Sequence, residues 1–137
     1  MDRENALIQT FIAEHAFTEA FVVCVLGTAD MEVDLPDAVT NVPFGIIQDT
    51  AAEDQSVPVM LSGITKVVAN GAFSKGDQLG IAATTGRVDT VIGYDGSFDN
   101  SNGPFAARKS IGIALEAATQ AGEIVHMLIR PFFYPWS

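Results

Sequence analysis

Two histidines, one cysteine and seventeen carboxylates are the side chains with which this chain could do chemistry. A structural zinc site draws four ligands chiefly from Cys and His, and Cys24, His15 and His126 are too few for a Cys/His set. A Ser/His/Asp triad needs a positioned base. His126 lies in the strand-like Glu123-Ile-Val-His-Met-Leu-Ile and reads as structural, while His15 precedes the first β-branched run and reads as exposed. Ser62-Gly63 is no nucleophile elbow, because Met60 stands where that turn needs Gly. Gly71-Ala-Phe-Ser-Lys-Gly lacks the spacing of a phosphate-cradling loop. The best metal candidate is Asp95-Gly-Ser-Phe-Asp, in which Asp95, Ser97 and Asp99 could face one calcium ion. Its sixth position is Asn100 rather than Gly, and its twelfth is Ala106 rather than a bidentate Glu. The last predicted hairpin holds no Lys, so a biotin- or lipoate-type carrier has no acceptor. The residues point to no catalytic group, no cofactor and no metal. The alternative is a binding or adhesion module whose 95–102 loop holds calcium or a glycan.

Charge narrows the partners. The net charge is -10, with seven Lys and Arg among 137 residues, so phosphate neutralisation is not what this chain offers and nucleic acid is not an expected partner. Residues 1–54 carry eleven of the acids and only Arg3 as a base, whereas residues 55–137 carry six of each sign. That acid is either a solvated face or a surface meeting a basic partner. Met1-Asp-Arg-Glu-Asn is not a basic leader, and no apolar run reaches about 18 residues, so no membrane partner is expected. A lone Cys24 calls for no oxidising compartment.

The elements that must position these residues are short strands separated by turns. Residues 18–26 and 31–35 predict a hairpin across Gly27-Thr-Ala-Asp, followed by a connector from Pro36 to Pro43. Val57–Gly63 and Ile64–Ala69 read as two extended pieces ending at Asn70-Gly71, a strong turn signal. Gln78–Ala83 and Arg87–Ile92 form a hairpin across Thr84-Thr-Gly, as do Ile111–Leu115 and Glu123–Ile129 across Gln120-Ala-Gly. The fold class is all-β: a small β-barrel or β-sandwich of hairpins over 18–130, with a loop insertion at 93–104. Residues 1–17 are expected as an arm, partly helical or mobile, because Glu4–Ala20 is rich in Ala, Leu, Ile and Phe.

The chain also resembles itself. An offset of 67 lays Phe44-Gly-Ile-Ile over Ile111-Gly-Ile-Ala, and Val57, Met60 and Leu61 over Ile124, Met127 and Leu128. Two related hairpins in one barrel would give this pattern, and so would convergent patterning. The tail at 131–137, Pro-Phe-Phe-Tyr-Pro-Trp-Ser, sets four aromatics in five positions. Aromatics are enriched in interface hot spots, so Phe132, Phe133, Tyr134 and Trp136 are contact candidates beside Phe11 and Phe17 of the arm. The tail could equally pack over its own barrel.

Together, Ala16-Phe-Thr-Glu-Ala-Phe-Val-Val, Pro43-Phe-Gly-Ile-Ile, Val57-Pro-Val-Met-Leu-Ser-Gly-Ile-Thr-Lys-Val, Ala72-Phe-Ser-Lys-Gly-Asp-Gln-Leu and Ile111-Gly-Ile-Ala-Leu-Glu-Ala-Ala resemble the small capsid decoration, or capsid cement, proteins of bacteriophages. The resemblance runs from about Phe11 to Arg130, and three places depart from it: Glu53-Asp-Gln-Ser in place of a Gly-containing turn, the 93–104 loop and the aromatic tail. It implies a compact β-rich protein without catalytic residues, made in the host cytoplasm and carried on the outer capsid surface of the virion. It also implies a homo-oligomer, often a homotrimer, that bridges neighbouring copies of the major capsid protein.

Overall fold

The computed structural model describes residues 6–91 and 109–132. Nine strands and no helix run through them: β1 (Leu7–Ala13), β2 (Val23–Leu26), β3 (Glu32–Asp34), β4 (Gly45–Ile47), β5 (Ser56–Val68), β6 (Gln78–Ile81), β7 (Val88–Thr90), β8 (Ser110–Ala114) and β9 (Ile124–Phe132). The all-β expectation holds, and β2–β3, β6–β7 and β8–β9 are the antiparallel neighbours expected from the turn signals.

Two stretches differ from expectation. Residues 7–13, expected within a partly helical or mobile arm, are β1, antiparallel to β5 and parallel to β3 at Ile12 and Ala13. Phe11 and Ala13 are buried with Ile12 between them half-exposed, so a period of two satisfies the core where a helix would have turned them apart. Val57–Gly63 and Ile64–Ala69 are not two pieces but one 13-residue strand, β5. Gly63 (φ 115) lets it bend without breaking, and a Cβ there would lie 2.9 Å from the Ala6 Cα.

Strands β1-β3-β2-β4-β5 form a closed five-stranded barrel, because β1 also pairs with β5. Strands β5-β9-β8-β6-β7 form a second unit, drawn shut by the parallel bridge Ala69↔Val88. β5 serves both: Ser56–Ser62 pair with β1, and Gly63–Val68 pair with β9.

The second unit repeats the first pair by pair. Val23↔Ile46 and Cys24↔Gly45 recur as Gln78↔Ile113 and Leu79↔Gly112. Val25↔Asp34 and Leu26↔Val33 recur as Gly80↔Asp89 and Ile81↔Val88, and the bridge Phe17↔Ala51 recurs as Phe73↔Ala118. The sequence offset holds for β4 on β8 but is one residue short for β5 on β9, where Phe11↔Val57 matches Val67↔Val125. Burial decides this: Val57, Val59, Val125 and Met127 are all core, whereas Ile124, which the offset set over Val57, is half-exposed. The extra residue lies in the turn after Ala118.

Three left-handed residues mark the same correspondence. Phe21, Met31 and Asp54 have φ of 65, 63 and 68°, and their counterparts are Gly76, Gly86 and Gly122 at 93, 85 and 89°. The bond from Phe21 N–H to Ile47 O matches that from Gly76 to Ala114, and the bond from Asp54 to Ala13 O matches that from Gly122 to Ala69. The turns need positive φ, which glycine adopts freely and L side chains do not.

Alternation along shared strands joins two cores. Phe11, Phe17, Cys24, Ile47 and Val59 point into the first barrel. Their neighbours Val23, Ile46 and Met60 point the other way, into the cluster of Phe73, Leu79, Ile81, Ile111 and Met127. The outside of one barrel is thus the inside wall of the other.

Candidate functional site

Among the described residues, Cys24 is buried between strands, and His15, Glu14 and His126 bond across strands and turns. Cys24 is buried, and burial pushes its thiol up to about 12, so no thiolate forms near neutral pH. His15 Nδ1 lies 3.1 Å from both carboxylate oxygens of Asp34, joining the end of β1 to β3. That hydrogen bond, with the carboxylate charge, raises the His15 pKa. Glu14 completes a cluster with His15 and Asp34. Its two oxygens accept from Thr28 N–H and Thr28 Oγ1 at 2.8 and 3.0 Å, so both are committed to the β2–β3 turn, and these bonds lower its pKa. His126 Nδ1 lies 3.0 Å from Glu116 Oε1, which also accepts the His126 N–H. Those two bonds lower the Glu116 pKa. Both histidines bond to carboxylates through Nδ1, which fixes the orientation of each ring.

Two surfaces among the described residues offer contact area. The first is the outward face of β5, β9 and β8, where Ile64, Leu128 and Ile113 stand in one cross-strand row. Ile64 is 58% exposed and Ile124 52%, and Leu115 adds to the apolar face beside Lys66 and His126. The second is a cleft of about 440 Å³ between the β2–β3 hairpin and the connector from Leu35 to Phe44. Its lining includes the carboxylates of Glu14, Asp34 and Asp37 and the apolar side chains of Val25, Leu26, Val42 and Phe44.

Of the aromatic contact candidates, Phe11 and Phe17 are brought together in the first core, and Phe11 meets Phe44 edge-to-face at 5.1 Å. Both are buried in the fold. Phe132 closes β9 opposite Ser110, and Phe133, Tyr134 and Trp136 lie outside the described residues. Asp95, Ser97 and Asp99 also lie outside them. The sequence reading missed Ile64, Ile113 and Leu128, although alternation of Ile64 and Lys66 with Thr65 and Val67 carries the signal for an outward Ile64. It also missed the cleft, which depends on how the connector leaves the sheet.

Among solved structures, the chain is similar to the N base of the head fiber gp8.5 of bacteriophage phi29, with 18% identity and a TM-score of 0.62. The match covers 91% of this chain and 94% of that one, so the fold is shared over nearly the full length of both. Comparison with curated proteins gives no match. The phage cement protein family matches residues 3–129. The two-unit β-fold and its strand-holding histidines thus belong to a member of the phage cement protein family, a structural, non-enzymatic capsid-binding protein of the virion surface.

Proposed function

We propose that the protein binds the outside of the assembled phage head as a trimer and bridges neighbouring major capsid subunits. The observation that carries this reading is the family match over residues 3–129. The fold shared with a phage head-fiber base supports it. The apolar row of Ile64, Leu128 and Ile113 offers contact area worth roughly 25 cal/mol per Å² once covered, before the costs of association. A trimer engaging several subunits meets each further contact at high effective concentration, so modest contacts sum to tight retention.

The test mixes purified protein with undecorated, expanded heads of its own phage and sediments them, with light scattering on the free protein. Co-sedimentation to a saturating copy number and a trimer mass are expected. Protein left in the supernatant overturns the capsid reading, and a monomer mass overturns the trimer.

A further inference from the structure

The two units make one another's control. Residues 6–62 of the first barrel carry nine carboxylates and no Lys or Arg. The described residues of the second unit, 63–91 and 109–132, carry four carboxylates against Lys66, Lys75, Arg87, Lys109 and Arg130. The strand pairings correspond up to the end of β2 and β6, so the fold itself does not demand the acid.

The cleft marks where the two units part company. Leu26 is 61% exposed, while its counterpart Ile81 is fully buried. Two differences bear on it: Val25 stands where the second unit has Gly80, and Pro43, which has no N–H to give a ladder, stands where it has Ser110. In the second unit Gly80 admits the strand leading from Lys109, whose carbonyl oxygen would lie 2.3 Å from a Cβ at that position. Pairing of β6 with β8 therefore continues to Gly80↔Ser110. In the first unit Val25 stands at the equivalent place, pairing of β2 with β4 stops at Cys24↔Gly45, and the connector swings away. The gap it leaves is the cleft, lined by Leu26, Val42 (55% exposed) and the Glu14, Asp34 and Asp37 carboxylates. Lys109 Nζ donates to the Thr40 carbonyl at 3.2 Å but does not line the cleft.

We infer that this cleft is a docking site for an extended segment of the capsid protein that carries Lys or Arg beside an apolar side chain. The apolar group covers Leu26 and Val42, where the second unit covers its own Ile81, and the basic group meets Asp37 and its neighbours. Charge complementarity selects the occupant: nine carboxylates with no Lys or Arg over residues 6–62 favour a basic segment and repel the acidic first barrel of a further copy. The inference rests on the capsid-binding reading and names the site of that binding.

The experiment measures co-sedimentation of the full chain with undecorated heads across a salt series. The variants are Asp37→Lys, Leu26→Ala and, as a control with the same charge change outside the cleft, Asp49→Lys. Asp37→Lys is expected to weaken binding roughly tenfold at low salt, with the deficit shrinking towards about 0.5 M salt as Coulomb terms are screened. Leu26→Ala is expected to weaken it roughly fivefold at every salt. Asp49→Lys should bind as the parent does. Circular dichroism of each variant confirms the fold, and for these exposed side chains it should be unchanged. If the parent binds and Asp37→Lys and Leu26→Ala bind equally well, the cleft is not the site and the capsid reading stands. Equal losses in Asp37→Lys and Asp49→Lys, with none in Leu26→Ala, would assign the effect to overall charge and overturn the inference. If the parent itself fails to bind, it is the capsid reading that falls.

Discussion

Met31→Gly tests whether the turns are strained in the first barrel and relaxed in the second. Met31 sits at φ 63° in the β2–β3 turn, where Gly86 stands at 85° in the repeat. An L side chain in that region costs about 1–2 kcal/mol, and glycine's larger unfolded-state entropy offsets about 0.5–1 of it. Met31→Ala removes the same side-chain contacts but keeps the strain, so the difference between the Met31→Gly and Met31→Ala variants isolates the backbone. The glycine variant should be the more stable by about 0.5–1 kcal/mol, read as a shift in denaturation midpoint at unchanged slope. The reciprocal change, Gly86→Ala, adds the same strain and sets a Cβ 2.6 Å from the Val23 carbonyl oxygen and 2.9 Å from the Val22 Cβ. Backbone cannot yield cheaply, so a loss of about 2 kcal/mol or more is expected there. The two substitutions should therefore act in opposite directions at equivalent positions. A Met31→Ala variant as stable as the Met31→Gly variant would refute the reasoning, because the positive φ would then carry no cost.

Other outcomes follow from the same structure. Gly80→Ala should destabilise by about 1–3 kcal/mol and loosen the β6–β8 edge in hydrogen exchange, since its Cβ would meet the Lys109 carbonyl. Phe17→Ala and Phe73→Ala, at equivalent buried positions, should each cost about 3–5 kcal/mol in chemical denaturation. The His15–Asp34 pair raises the His15 pKa above 6.5, so its small contribution is complete below that pH and is lost as pH rises through the folded value. Thermal melts from pH 6 upward should show that loss, and His15→Ala should flatten it. Cys24 should stay unlabelled by a thiol reagent in the native protein and react only on unfolding, because the thiol is buried and protonated.

The hairpins were legible because turn residues and β-branched runs are local signals: Gly27-Thr-Ala-Asp and Thr84-Thr-Gly each separate the strands they were expected to separate. β1 was not, since Ala, Leu, Ile and Phe suit helix and strand alike, and what selects the strand is pairing with β5, more than forty residues away in sequence. The repeat was visible in its Gly-Ile pairs and misaligned by one residue in β9, where only burial shows which alternate side chains face inward. The buried fate of Phe11 and Phe17 was hidden for the same reason: aromatics serve cores and interfaces alike, and composition does not separate them. The cleft goes with Val25 and Pro43 standing where the repeat has Gly80 and Ser110, differences without meaning until the two units are superposed strand by strand.

The 13-residue β5 has a consequence for the order in which the chain assembles. The first barrel has every strand it needs once Ser62 is in place, and closing it holds the near half of β5 rigid. The far half, Gly63–Val68, is continuous with that barrel and forms the edge that β9 pairs with, some sixty residues further along the chain. The later unit is built on the earlier one as a course of masonry is built on the course beneath. A fragment beginning after Gly63 would lack the anchored foundation, and its sheet would have to pin its own first strand at the loop-closure cost that the intact chain has already met.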